Sequence, residues 1–253
     1  MYNIDVVATA GRGFTVIKTA YVLTADTSYM TLEMLLSVPR RLVEGANVIN
    51  ERHGQWPGWS PTWMLGRRIW GKRLGIVGMG RIGTAVARRA KAFGLSIHYH
   101  NRKRVSPQVE EELEATYCDS LDQMLARMDI ISVNCPSTRA TFHLLSARHI
   151  ALMQPTAYLV NTARGQIIYE NALIDLIEEG RLACAGLDVF KHDPSVNPRC
   201  AALSEMGTVD LLQNMLSCII KSRIYMVDTV IDQYSWLHGM QALGPIACLQ
   251  NLL

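Results

Sequence analysis

Leu74-Gly75-Ile76-Val77-Gly78-Met79-Gly80-Arg81-Ile82-Gly83-Thr84 is the stretch on which the reading of this chain turns. A short apolar run ends at a Gly-x-Gly-x-x-Gly spacing, and a helix-like pattern continues to Phe93. Such a run suits a strand buried on both faces of a parallel sheet. Between a strand and a helix the three glycines have separate tasks. Gly78 permits a tight turn, Gly80 lets the backbone approach a pyrophosphate, and Gly83 allows the helix to pack closely on the strand. The helix N-terminus, with Arg81 and Ile82 in its first turn, then faces the phosphates.

Outward from this stretch the same texture repeats. Apolar runs at 95–99, 130–133, 157–160 and 183–189 alternate with helical patterns at 81–93, 121–128, 147–153 and 171–179. Alternation of this kind predicts an α/β fold with a doubly wound parallel sheet. Upstream, Met30, Met34, Leu35, Val38, Leu42 and Val43 recur at helical spacing, and Pro39 is expected to kink or divide that helix. Residues 54–63 combine Gly, Pro and three tryptophans, which predicts a packed loop at a subunit or domain contact. Downstream, Leu211, Leu212, Met215, Leu216, Ile219 and Ile220 predict a helix over 209–230.

Composition narrows the function. Of 253 residues, 49% are hydrophobic and 19% charged, which excludes global disorder. A formal net charge of +3 falls short of the basic excess that binding to a phosphate backbone requires, so nucleic acid is not expected as a partner. No run reaches the ~18 apolar residues of a membrane span. Six cysteines without CxxC spacing suggest neither zinc nor a disulfide framework, and favour a reduced, cytoplasmic setting.

The ribose of a dinucleotide is normally read by a carboxylate at the end of the second strand. Here that strand ends in Asn101-Arg102-Lys103-Arg104, which offers no carboxylate and three cations. The expected cofactor is therefore NADP in preference to NAD.

Asn161-Thr162-Ala163-Arg164-Gly165, followed by Ala185-Gly186-Leu187-Asp188-Val189-Phe190-Lys191-His192-Asp193-Pro194, resembles the D-isomer-specific 2-hydroxyacid dehydrogenases, most closely their glyoxylate/hydroxypyruvate reductase branch. Val22-Leu23-Thr24 with Asp26-Thr27, the glycine turn and Asn134-Cys135-Pro136-Ser137-Thr138 extend the likeness over residues 3–199. The resemblance implies a Rossmann domain and reversible hydride transfer between a nicotinamide cofactor and a small 2-oxo or 2-hydroxy acid. It implies a homodimer that pairs through the cofactor domain. Arg164 matches the substrate-binding arginine. Asp188 matches the residue holding the nicotinamide carboxamide. Thr27, Thr162, Cys135 and Pro136 match cofactor contacts. Asp193 stands where the family has a glutamate that orients a catalytic histidine; it reads equally as a turn residue before proline.

Three departures accompany the likeness. The family's histidine lies in a Pro-His-x-Gly-(Ser/Thr) motif roughly twenty residues beyond the acidic residue, and the nearest trace, Ser204-Glu205-Met206-Gly207-Thr208, puts Glu205 in its place. His238 is the one histidine beyond Asp193. Only about 25 residues precede the cofactor domain, and the sequence stops resembling the family at Cys200. The expected organisation is a remnant of the substrate domain over 1–25, the cofactor domain over 26–200 and a divergent tail over 201–253. If the histidine is absent, the alternative is a dinucleotide-binding module without catalysis.

Overall fold

The computed structural model describes residues 5–17, 19, 21–51, 56, 58–215 and 218–237. Its elements run α1 (Val6–Gly11), α2 (Thr24–Arg40), α3 (Leu42–Glu51), β1 (Arg73–Val77), α4 (Arg81–Ala92), β2 (Ser96–His100), α5 (Pro107–Leu113) and β3 (Thr116–Tyr117). They continue with α6 (Leu121–Arg127), β4 (Ile130–Val133), α7 (Ala147–Ile150), β5 (Tyr158–Asn161), α8 (Glu170–Glu178), β6 (Cys184–Leu187), α9 (Pro198–Glu205), β7 (Val209–Leu211) and α10 (Ile220–Leu237).

The seven strands form one parallel sheet in the order β3-β2-β1-β4-β5-β6-β7. This is the doubly wound topology expected from the alternation of runs. The strand order reverses between β1 and β4, where Val77 lies opposite Val133. Crossovers on either side of that point leave a crevice beyond the carboxyl ends of the strands, where ligands of such sheets bind. All four residues of β4 and of β5 are buried, because helices cover both faces. One core gathers Met124, Leu125, Ile131, Leu159, Leu173 and Ile174 on the side of α6 and α8. The other gathers Met34, Leu35, Val38, Val86, Ile97 and Tyr99 on the side of α2 and α4.

Several expectations are corrected. The helix predicted over 209–230 is instead β7 followed, from Ile220, by α10. Helical spacing of apolar residues misled there because a three-residue strand is too short to display a period of two, whereas its pairing with β6 is a tertiary event. β3, α5 and α9 are further elements for which the sequence carried no apolar run. Glu33, which interrupts an apolar helix, lies on the exposed side of α2. Among the described residues of the tryptophan loop, Trp56 and Trp63 meet with ring centroids 5.8 Å apart, while Trp59 is 81% exposed. Residues 52–55 and 57 of that loop lie outside the described residues. The division of the first long helix held, but at Arg41, whose φ of 56° ends α2 two residues after Pro39.

The chain separates into two compact units, one of residues 27–216 and one combining 1–26 with 217–253. The sheet-bearing unit thus extends beyond residue 200, because α9 crosses that position and β7 completes the sheet. In the smaller unit the buried Ser222 donates a hydrogen bond to Asp26. No described helix is long and apolar enough to cross a membrane.

Asp210 on β7 is a carboxylate inside the larger unit, 6% exposed, whose Oδ2 accepts from Ser37 Oγ at 3.3 Å. Burial pushes its carboxyl above the ordinary 3.8, outweighing the Ser37 bond, and nearby Glu44 acts in the same direction. The fold therefore favours the protonated form, and stability falls as pH rises from the unfolded value through the raised folded one. Asp210→Asn is expected to raise Tm at pH 7 by roughly 2–4 °C for ~1 kcal/mol of relieved desolvation, with the gain shrinking toward pH 4. Calorimetry at both pH values checks this, and a variant less stable than the parent at pH 7 contradicts it.

Candidate functional site

The turn after β1 is built by exclusion of side chains. Gly78 has φ +101°, and a Cβ on it would lie 2.6 Å from the Cys135 nitrogen in the segment after β4. A Cβ on Gly83 would stand 2.2 Å from the Gly78 carbonyl oxygen, so α4 and the turn meet with no room for a methyl group. Gly80 differs: it is exposed, and a Cβ there would meet nothing within 4 Å. That open space lies at the N-cap of α4, whose first-turn N–H groups have no acceptors inside the helix. Bare backbone, open space and a helix N-terminus together fit the pyrophosphate of a dinucleotide. Arg81 is exposed and Ile82 half-buried at this end of the helix.

The neighbouring segment Asn134-Cys135-Pro136 is tied to β1 by Asn134 N–H donating to the Val77 carbonyl at 2.8 Å. Cys135 is buried beneath Gly78, and burial pushes its thiol up to about 11, so it remains protonated and inert at neutral pH. Pro136 is exposed, and its carbonyl accepts from Thr141 Oγ1 at 2.6 Å. The Asn134 side chain donates to Ser132 Oγ at 2.9 Å, while its buried Oδ1 has no partner among the described residues.

At the end of β2, Asn101 Nδ2 donates to the Lys103 carbonyl at 2.9 Å and closes the turn. Arg104, one of three expected phosphate-binding cations, is committed elsewhere. Its guanidinium grips Glu110 with two bonds of 2.8 and 2.7 Å and lies 5.7 Å from the Tyr117 ring centre. Glu110 also accepts from the Tyr99 hydroxyl, which is itself pushed up to about 12 by burial and by that carboxylate. Arg102 and Lys103 stay exposed with no ion pair among the described residues.

The end of β5 carries Arg164, exposed, with its Nη1 on the Ala163 carbonyl at 2.6 Å. No carboxylate among the described residues pairs with it, so the cation is available to an outside anion. Gly165 follows because a Cβ there would lie 2.1 Å from the Phe190 carbonyl carbon in the loop after β6. Thr162 is buried, and its hydroxyl lies 2.8 Å from Thr31 Oγ1 on α2. Since Thr31 donates to the Thr27 carbonyl at 2.8 Å, Thr162 is the donor of that pair, and its proton points to α2. Thr27 itself is buried in the first turns of α2.

Asp188 is fully buried, with its N–H on the Asn161 carbonyl at 3.1 Å and its Oδ1 accepting from Met215 N–H at 2.8 Å. Asp193 precedes a cis proline and its Oδ1 accepts from Phe190 N–H at 3.2 Å. His192 is adjacent and exposed, and His143 packs between Phe142, at 4.0 Å, and Tyr169, at 5.2 Å. His238 lies outside the described residues.

Glu205 cannot stand in for a catalytic histidine. It ends α9, which precedes β7, and so sits at the amino end of the parallel sheet, away from the turn and from Arg164. The segment at the carboxyl end of β7 is Leu212-Gln213-Asn214-Met215, held there by Leu212 N–H on the Leu187 carbonyl at 2.9 Å and by Met215 on Asp188. Asn214, 21 residues after Asp193 and with φ 55°, is the residue at that edge. Sequence reasoning missed it because the run was read as helix. It also passed over Asn161, although an Asn at a strand end habitually bonds to backbone two or three residues on.

Residues 32–209 match the family model described as D-isomer specific 2-hydroxyacid dehydrogenase, NAD binding domain. The glyoxylate reductase of Thermococcus litoralis is 44% identical over 199 residues, 77% of this chain and 59% of that protein. That of Thermococcus gammatolerans is 41% identical over 208 residues, 81% and 61% respectively. The chain thus spans about three fifths of the length of these curated relatives. Among solved structures, a putative D-isomer specific 2-hydroxyacid dehydrogenase from a Polaromonas species superposes with TM-score 0.87 at 35% identity, covering 98% of this chain and 76% of that one. An NADPH-dependent glyoxylate/hydroxypyruvate reductase from Sinorhizobium meliloti, solved with NADP and malonate, gives 0.81 at 32% identity, covering 98% and 75%. The chain belongs to the D-isomer specific 2-hydroxyacid dehydrogenase family and carries its NAD-binding domain.

Proposed function

We propose that this protein binds NADPH in the crevice between β1 and β4 and reduces a small 2-oxo acid such as glyoxylate or hydroxypyruvate. The observation that carries the reading is the unpaired Arg164 at the end of β5, on the same edge of the sheet as the Gly78–Gly80 turn and Asp188. The names of the relatives support it. When bound, a reduced nicotinamide would supply a hydride to the carbonyl carbon and leave as the oxidised nucleotide, and the alkoxide so formed would take its proton from water. The backbone at Gly80 and the first turn of α4, with Arg81 and Ile82, hold the pyrophosphate. Pro136 would line the crevice with the buried Thr27, Thr162 and Cys135 behind it, and the family resemblance assigns Asp188, buried under its bond from Met215 N–H, to the carboxamide end. Arg164 binds the carboxylate of the acid and polarises its carbonyl, tasks that suit a planar, permanently charged group.

Preference for NADPH over NADH rests on Arg102 and Lys103, with Asn101 in place of a carboxylate. Arg104, already paired with Glu110, shapes the turn. Replacing Arg102 and Lys103 together by Ala is expected to weaken NADPH binding by about 10- to 100-fold, the worth of one or two charge-assisted bonds, and to leave NADH binding unchanged. Fluorescence titration of both nucleotides reads this, and equal losses for the two remove the preference.

Asn214 favours a second reading, binding without turnover, because an amide does not deliver a proton as an imidazole does. Absorbance at 340 nm with NADPH and glyoxylate separates the two. Turnover abolished by Arg164→Ala establishes the reductase. Binding without turnover establishes the module, and Asn214→His is then expected to bring turnover up by at least about 100-fold, the usual contribution of a positioned acid.

Homodimerisation belongs to the same proposal. Leu42 and Ile49 on α3, with Trp59 and Leu65 beyond it, are exposed apolar groups within one short stretch. A second copy of this chain covering them predicts a dimer mass in light scattering, shifted to the monomer by Leu42→Glu with Trp59→Glu; a parent that runs as a monomer contradicts it.

A further inference from the structure

Asn161 stands at the last position of β5 and is 1% exposed. Its side chain makes two bonds of opposite sense to the segment that follows: Nδ2 donates to the Arg164 carbonyl at 3.0 Å, and Oδ1 accepts from Ala163 N–H at 3.0 Å. Its own carbonyl accepts from Asp188 N–H at 3.1 Å. One residue therefore clamps the backbone on which Arg164 is mounted and links it to the strand end carrying Asp188. Thr162, between clamp and cation, is fastened in turn to Thr31 on α2. Arg164 has an extended backbone, φ −152° and ψ 140°, and its side chain has no partner among the described residues other than the Ala163 carbonyl. A long side chain with one bond takes its direction from the backbone beneath it.

We infer that Asn161 is a positioning residue for Arg164, setting the angle at which the guanidinium meets the carboxylate of a 2-oxo acid. The assignment rests on the proposed reading of Arg164 as the substrate cation. An amide is required because one side chain must donate to one backbone group and accept from another; an ionised carboxylate of the same shape only accepts, and would oppose the Arg164 carbonyl. The bond to Asp188 uses the backbone of Asn161 and survives substitution, so the nucleotide side of the crevice is left as it was.

The test compares the Kd of glyoxylate in the NADP+ complex with the Kd of NADPH alone, for the parent, Asn161→Asp, Asn161→Ala, Arg164→Ala and the double variants with Arg164→Ala. Asn161→Asp and Asn161→Ala are expected to raise the glyoxylate Kd by about tenfold or more and to keep the NADPH Kd within about twofold. In the Arg164→Ala background they add nothing further, since they act through that cation. A merely structural role would weaken both ligands together and add to Arg164→Ala. If Asn161→Asp fails to fold because of its buried charge, the uncharged Ala variant carries the comparison. Glyoxylate affinity unchanged in the Asn161 variants, or additive losses, overturns this assignment alone. A parent that binds no glyoxylate, or an Arg164→Ala variant that binds it as the parent does, overturns the substrate reading and the assignment with it.

Discussion

The close approach of three backbone segments at the centre of the sheet governs the rest of the molecule. Gly78 lies against the Cys135 backbone and Gly83 against the Gly78 carbonyl, at separations that no Cβ tolerates. These contacts bring the start of α4 down onto β1 and set β4 beside it. The crevice beyond the strand ends, with the helix N-terminus at its floor, follows from that arrangement. Gly80, two residues after one such crowded position and three before the other, opens onto free space. Crowding within the turn and space above it are two results of the same exclusion of side chains.

Polar groups at the carboxyl edge are bonded in a graded way. Thr162 and Asp188 are buried and bonded to neighbouring segments, and the Asn161 amide donates to one backbone group and accepts from another. Arg164, Arg102 and Lys103 remain exposed and without ion pairs among the described residues. Arg104 shows the contrast, since its two bonds to Glu110 remove it from the set of free cations at the β2 end. Fixed dipoles beneath exposed cations suit a site that orients an anionic ligand.

The glycine spacing, the alternation of apolar runs with amphipathic segments and the Arg164 and Asp188 motifs were all legible in the sequence. Strands buried on both faces leave continuous apolar runs, and a turn that excludes Cβ leaves glycine, so both constraints write themselves directly into residue type. What the tertiary structure alone decided are matters of pairing. Val209–Leu211 became a strand because β6 offered an edge, which put Glu205 at the amino end of the sheet and Asn214 at the carboxyl end. Arg104 is bonded to Glu110, six residues later, because α5 brought that carboxylate within reach. Asp193 turned its carboxylate onto Phe190 N–H. Residue type records what a position excludes or buries along the chain; which partner a charged or amide group finds depends on the path the backbone takes, whether across the sheet or within one turn, and only the folded chain fixes that path.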